Sequence, residues 1–162
     1  MLIQQNINRS NFFNRSWAEF KVGFNDSSGN YWLGNELLSQ LTANNSYKLK
    51  FDLQSRTNNN NWFHAEYSTF RVLTEADNYK LQVAGYSGNA GHGAFDYHDG
   101  MMFSTYDRDN DLASYNCAVN RGGGFWYRAC ALCSVNGARR FYWSRLPGGR
   151  YLQSSRMWLQ CK

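Results

Sequence analysis

Three carboxylates stand at alternate positions in Asp107-Arg-Asp-Asn-Asp111, at the head of a stretch that ends on Cys117 and Cys130. Alternation in a turning segment aims hard oxygens at one point, which is the chemistry that suits a calcium ion. An EF-hand would follow such a start with Gly at the sixth position and a bidentate Glu at the twelfth. Here those positions hold Leu112 and Ala118, so that template fails. Two readings remain: a smaller loop that binds calcium through carboxylates, backbone carbonyls and water, and an acidic turn whose Asp side chains hydrogen-bond their own backbone.

The second chemistry is that of sulfur. Four cysteines, at 117, 130, 133 and 161, make the even count expected of two disulfides in an oxidising compartment, with three pairings possible. Cys130-Ala-Leu-Cys133 also spells C-x-x-C. A redox pair would want a βαβ setting, and a zinc site would want a second close pair; the surrounding Trp/Tyr/Gly-rich sequence offers neither. The third chemistry is charge. The net charge is +5, and Arg139, Arg140, Arg145, Arg150 and Arg156 crowd the C-terminal quarter, which favours anionic partners.

Nucleophile-elbow, H-E-x-x-H and phosphate-loop signatures are absent, so binding is favoured over catalysis. His64, His92 and His98 are not at metal-binding spacing and read as hydrogen-bonded structural residues. Phe125-Trp126-Tyr127 beside arginines has the ingredients for base stacking, but core packing explains the same aromatics, and no nucleic-acid partner is expected. No stretch is long and apolar enough for a membrane span, and the Met1-Leu-Ile-Gln-Gln start lacks the features of a signal peptide. Asn-x-Ser sequons at Asn8, Asn14, Asn25 and Asn44 are compatible with a glycoprotein.

The elements that must position these residues are short. With 162 residues, 28 of them aromatic, one Pro and 14 Gly, the chain reads as one globular domain over 1–162. Ser16-Trp-Ala-Glu19 is a capping box that predicts a helix from Trp17 to Val22. A second helix is expected from about Glu36 to Thr42, with Leu37, Leu38 and Leu41 on one apolar face. From Tyr47 the period changes to two, Tyr47, Leu49, Phe51 and Leu53 alternating with polar residues, the mark of a half-buried strand. Further strands are expected from Trp62 to about Val72 and from Tyr79 to Val83. The class is α+β, an antiparallel sheet with short helices set aside, followed by a glycine-rich, loop-rich region from Gly85 that needs tying down.

Several motifs in order resemble the fibrinogen-related domain. They are Ser16-Trp-Ala-Glu-Phe-Lys-Val-Gly-Phe24, Tyr31-Trp-Leu-Gly-Asn-Glu36, Tyr86-Ser-Gly-Asn-Ala-Gly91, Phe103-Ser-Thr-Tyr-Asp-Arg-Asp-Asn-Asp111, Asn116-Cys117-Ala118, Phe125-Trp126-Tyr127 and Ser134-Val-Asn-Gly137. The resemblance implies a fibrinogen C-terminal-like fold with a calcium-binding C-terminal subdomain. It also implies a secreted, extracellular recognition module; lectin relatives such as ficolins and tachylectins bind acetylated sugars in innate immunity. It places the start of the chain, Leu2-Ile-Gln-Gln5, on a strand that follows the family's first subdomain, so that the chain reads as an N-terminally truncated domain. Oligomerisation is then expected through regions outside it.

Carried over by motif, Asp109 and Asp111 supply carboxylates to calcium, the carbonyls of Ala113 and Tyr115 complete the protein ligands, and Asp107 orients the loop. The resemblance implies a Cys117–Cys130 bridge, worth about 3 kcal/mol by chain entropy, and the pairing then left over is Cys133 with Cys161. The expected ligand-binding residues are Phe125, Trp126, Tyr127, Ala129, Cys130 and Ala131. Two departures bear on them: Ala131 stands where lectin members carry a pocket histidine, and only Ala138 to Tyr142 separate Gly137 from Trp143, about ten residues fewer than in the family. The expected ligand is a glycan or glycoprotein, with anionic glycans favoured by the arginines; the alternative is protein–protein contact without sugar binding.

Overall fold

The computed structural model describes residues 1–162. Its centre is a seven-stranded sheet in which every pairing is antiparallel. In chain order the elements are β1 (Leu2–Asn6), α1 (Trp17–Val22), β2 (Phe24–Asn25), β3 (Tyr31–Trp32), α2 (Asn35–Thr42), β4 (Tyr47–Ser55), β5 (Trp62–Val72) and β6 (Leu81–Gly88). Then come α3 (Cys117–Arg121), β7 (Cys133–Ser134), β8 (Tyr142–Trp143) and β9 (Leu152–Cys161). The sheet order is β2-β3-β1-β9-β4-β5-β6, and β7 and β8 form a separate pair.

The capping box is present in full: Ser16 accepts from the Glu19 amide and Glu19 accepts from the Ser16 amide. Trp17 and Phe20 are the buried face of the helix it starts. In β4 the predicted alternation holds, with Leu49, Phe51 and Leu53 fully buried between polar neighbours. β5 has the predicted bounds.

Three expectations change. α2 begins at Asn35, and Leu37 stands exposed while Leu38 is buried, so its apolar face is narrower than the leucine spacing suggests. The third strand starts at Leu81, because Tyr79 has a positive φ of 49° and its amide turns back to the Thr74 carbonyl. It runs on to Gly88, where β5 supplies a partner in Ala65. Gly85 is needed there: its φ is +75°, and a Cβ would lie 1.9 Å from Ser68 Oγ.

The third change concerns sulfur. Cys117 and Cys130 are bonded, with Cα atoms 5.5 Å apart, but Cys133 and Cys161 are both free. Cys133 lies buried in the small β7–β8 pair, whereas Cys161 lies exposed at the end of β9, opposite Tyr47 of β4. The two elements carry them apart, so the leftover pairing does not form.

Thiol labelling checks this directly. Without reductant, one maleimide per molecule should couple to the native protein at Cys161 and a second, at Cys133, only in denaturant. No labelling in either condition would restore the second disulfide.

Candidate functional site

The acidic loop is held from every side by hydrogen bonds that its own sequence supplies. Asp107 is tied to α1: its Oδ1 accepts from the Trp17 amide at the start of that helix (2.9 Å) and from Thr105 Oγ1 (2.7 Å). Asn110 reaches inward, its amide donating to Ser104 Oγ and its Nδ2 to the Phe103 carbonyl. Asn116 caps α3 by accepting from Val119 N, and its Nδ2 donates back to the Thr105 carbonyl. The disulfide joins the first residue of α3 to the segment beyond.

Asp111 sits at the middle of this frame. Its Oδ1 accepts from Ala113 N and its Oδ2 from Cys117 N, both at 2.8 Å. Asp109 Oδ1 accepts from Asp111 N at 3.2 Å, which holds the Asp109 carboxyl against the Asp111 backbone. Burial lifts the Asp111 carboxyl above its ordinary value; the amides of Cys117 and Ala113 pull it down, and the Asp109 carboxyl pushes it up. The carbonyls of Ala113 and Tyr115 take no backbone N–H. No group of three or more His, Cys, Asp or Glu side chains gathers anywhere in the structure. Side chains alone therefore make no metal cage, and the local donor set is two carboxylates flanked by two open carbonyls.

The aromatic triplet does not line a pocket. Phe125, Trp126 and Tyr127 are each fully buried. Trp126 Nε1 donates to the Tyr79 carbonyl at 2.8 Å, its ring packing on Phe103 and Trp32, while the Tyr127 hydroxyl donates to the Gly123 carbonyl. These polar tips are satisfied inside, so the rings serve the core rather than a ligand. Of the other expected contacts, Cys130 is almost buried, Ala131 half-buried and Ala129 exposed. The Cys130 N–H finds no backbone acceptor, and the Tyr142 hydroxyl donates to the Ala131 carbonyl.

His98 locks these two segments together. Its Nδ1 lies 2.7 Å from the Trp126 carbonyl, and its Nε2 accepts from Leu132 N at 3.3 Å. A carbonyl on one side and an N–H on the other fix the neutral imidazole with its proton on Nδ1. Burial depresses its pKa to about 4.

A cavity of about 410 Å³ lies elsewhere. Arg139, Arg140 and Arg150 from the basic quarter reach it, together with Arg9, which follows β1, and Arg56, which follows β4. Tyr142 and Tyr151 complete its wall. Arg145 does not line it, nor does Arg156, which donates from Nε to Gln5 and lies over the Trp62 ring. Sequence reading missed Arg9 and Arg56 because nothing local links them to residues more than 80 positions away.

Comparison with known proteins accords with this geometry. Residues 1–158 match the family model for the C-terminal globular domain of the fibrinogen beta and gamma chains. Among curated proteins the chain is 37% identical over 157 residues to fibrinogen-like protein A of Apostichopus parvimensis (91% of this chain, 55% of that one). It is 41% identical over 136 residues to Bos taurus angiopoietin-4 (84% and 27%), and 36% identical over 137 residues to human ficolin-3 (85% and 45%). The chain thus spans about half or less of the length of these relatives. Among solved structures, the fibrinogen-like globe domain of human ANGPTL2 superposes with a TM-score of 0.90 at 35% identity, covering 99% of this chain and 79% of that one.

His98 gives this region a pH dependence of definite sign. An unfolded imidazole titrates near 6.5 and the folded one at about 4, so the unfolded chain binds more protons between those values. Stability should therefore fall as pH drops through that window, by about 3 kcal/mol at its lower end. Urea midpoints measured from pH 7 to pH 4 should show this slope, and His98→Gln should flatten it; an unchanged slope in the variant would assign the acid sensitivity to other groups.

Proposed function

Because this chain belongs to the family of C-terminal globular domains of the fibrinogen beta and gamma chains, we propose that it acts outside the cell as a calcium-dependent recognition module for glycans or glycoproteins. Its role in this reading is binding rather than catalysis, in the manner of innate recognition of microbial or host surfaces. The observation that carries the reading is the hydrogen bond from Asp111 N to Asp109 Oδ1, which keeps two like charges near each other, the Asp109 charge raising the Asp111 carboxyl, in a frame where neither makes an ion pair. A divalent cation relieves that repulsion. The residues fit such an ion: Asp109 and Asp111 would give carboxylate oxygens, Ala113 and Tyr115 their open carbonyls, and water the rest. Calcium would supply positive charge that pins the loop to α3 and, through the disulfide, to the segment around Cys130.

The ligand surface in this reading is the rim formed by Ala129, Cys130 and Ala131, where the open Cys130 amide is a donor for a carbonyl oxygen. With the aromatic triplet withdrawn into the core and no histidine at 131, that rim holds acetylated sugars weakly. The disulfide suits the oxidising compartment of a secreted protein, and no helix is long and apolar enough to cross a membrane. Avidity would come from oligomerisation through regions outside this chain.

A second reading, protein contact without sugar binding, has its own support. Tyr106, Leu112, Tyr115 and Val119 are all exposed on the segment that carries the acidic loop, Leu112 to 64% and Tyr115 to 54%. Exposed apolar side chains grouped on one segment suit a protein partner.

Calorimetry separates the readings. Calcium should bind with one site per molecule and, at a hundredfold excess over its dissociation constant, stabilise the fold by about 2.7 kcal/mol; Asp109→Asn and Asp111→Asn should each abolish the heat. N-acetylglucosamine should then give weak heat that chelation removes. No calcium heat would overturn the platform, and calcium heat with no sugar heat would favour protein contact.

A further inference from the structure

The arginine-lined cavity is remote in sequence from the acidic loop and opposite to it in charge. Its five arginines come from four stretches of the polypeptide, and each stretch is held by contacts independent of any ligand. Arg56 N donates to the Tyr151 carbonyl, and Thr57 Oγ1 donates to the Gly148 carbonyl, so the turn after β4 and the turn before β9 are fastened together. Gly149 permits their close approach: at φ +132°, its Cβ would fall 2.3 Å from Thr57 Oγ1. The Arg56 and Arg150 guanidiniums lie 5.3 and 5.4 Å from the centroid of the Tyr151 ring, within cation–π range. Arg9 Nε and Arg139 donate to the Ala138 and Val119 carbonyls. The guanidiniums are thus partly oriented before anything binds.

None of the five is paired. The ion pairs of the molecule lie at Arg15, Lys21, Lys48, Lys50 and His92, and no acidic side chain lines the cavity. The field is felt by both of its phenols: Arg150, with Arg140 and Arg56, holds Tyr151 below the usual phenol range, while at Tyr142 burial raises the phenol against the opposing pull of Arg121, Arg140 and Arg150. Five like charges around a space of about 410 Å³ repel one another until an anion enters. A single carboxylate satisfies one guanidinium through a bidentate pair. Several guanidiniums facing one small volume match several tetrahedral oxyanions carried close together. The short link from Ala138 to Tyr142 supplies two of the arginines.

We propose that this cavity is a second ligand site, which binds glycans carrying clustered sulfate or phosphate esters and works without calcium. The choice of a glycan as the carrier of those esters rests on the recognition reading above; the positive cavity itself does not.

The test is isothermal titration of the full chain with a heparin-derived hexasaccharide for the sulfate ester and a phosphomannan oligosaccharide for the phosphate ester. Each is set against its de-esterified counterpart, in calcium and again in EDTA. At least one esterified sugar should bind in both buffers while its counterpart does not, with an affinity that falls steeply on added salt. Arg140→Ala and Arg150→Ala, both at exposed positions, should each weaken binding about ten- to a hundredfold, the loss expected of a charge-assisted hydrogen bond, with unchanged melting temperature. Silence from both esters, or full affinity in both variants, would overturn the site. Equal affinity for a short DNA duplex would overturn the glycan assignment. Ester binding in EDTA by a protein that takes up no calcium would support this site while removing the calcium platform; calcium uptake without ester binding would do the reverse.

Discussion

Backbone that leaves the sheet and enters the interior must still find partners for its N–H and C=O groups, and this requirement shapes the C-terminal half of the molecule. Between Gly88 and Leu152 regular structure is confined to one short α-helix, one 3-10 turn and a two-residue strand pair, so buried side chains take over the role of ladders. Gln4 Nε2 lies within hydrogen-bonding distance of the Val135 carbonyl, Asn136 Oδ1 and Ser155 Oγ; Asn6 donates to the same Val135 carbonyl, and Asn136 donates to Gly124. One network thereby joins β1, β9 and the hairpin around Val135. Losing one member would strand buried polar groups at a cost of about 1 to 3 kcal/mol each.

The same requirement explains why the conspicuous aromatics are unavailable to a ligand. Trp126 is a structural post: its indole N–H binds the Tyr79 carbonyl, its own carbonyl is held by His98, and its ring meets Phe95, Phe103 and Trp32. A loop-rich region anchored on such posts presents a rigid rim. Outside that core stand two carboxyls and an open amide in one place, and five guanidiniums in another. The two places carry opposite charge, and no ion pair joins one to the other.

Elements written by nearest neighbours were legible from the sequence. The Ser16–Glu19 box sets α1 through contacts three residues apart, and the alternation of β4 reflects a strand with one face in the core. The C-terminal strand was not legible, although it is the hinge of the architecture, inserted between β1 and β4. Its pattern is broken by Ser154 and Ser155, both buried, and Ser155 is accommodated only because Gln4 hydrogen-bonds to it. A buried serine looks like a surface serine until its partner, at the other end of the polypeptide, is in view.

The sequence by itself determined the class, the cap of α1 and the spacing of the acidic loop, because those rest on local patterns, while the first disulfide was implied by the resemblance to a known family. Only the tertiary structure decided that Cys133 and Cys161 stay apart, that Phe125 to Tyr127 are core, and that Arg9 and Arg56 join Arg139, Arg140 and Arg150 around one cavity. Burial and like-charge clustering are properties of points in space, and the spacing of residues along a polypeptide does not record which distant turns will be fastened side by side.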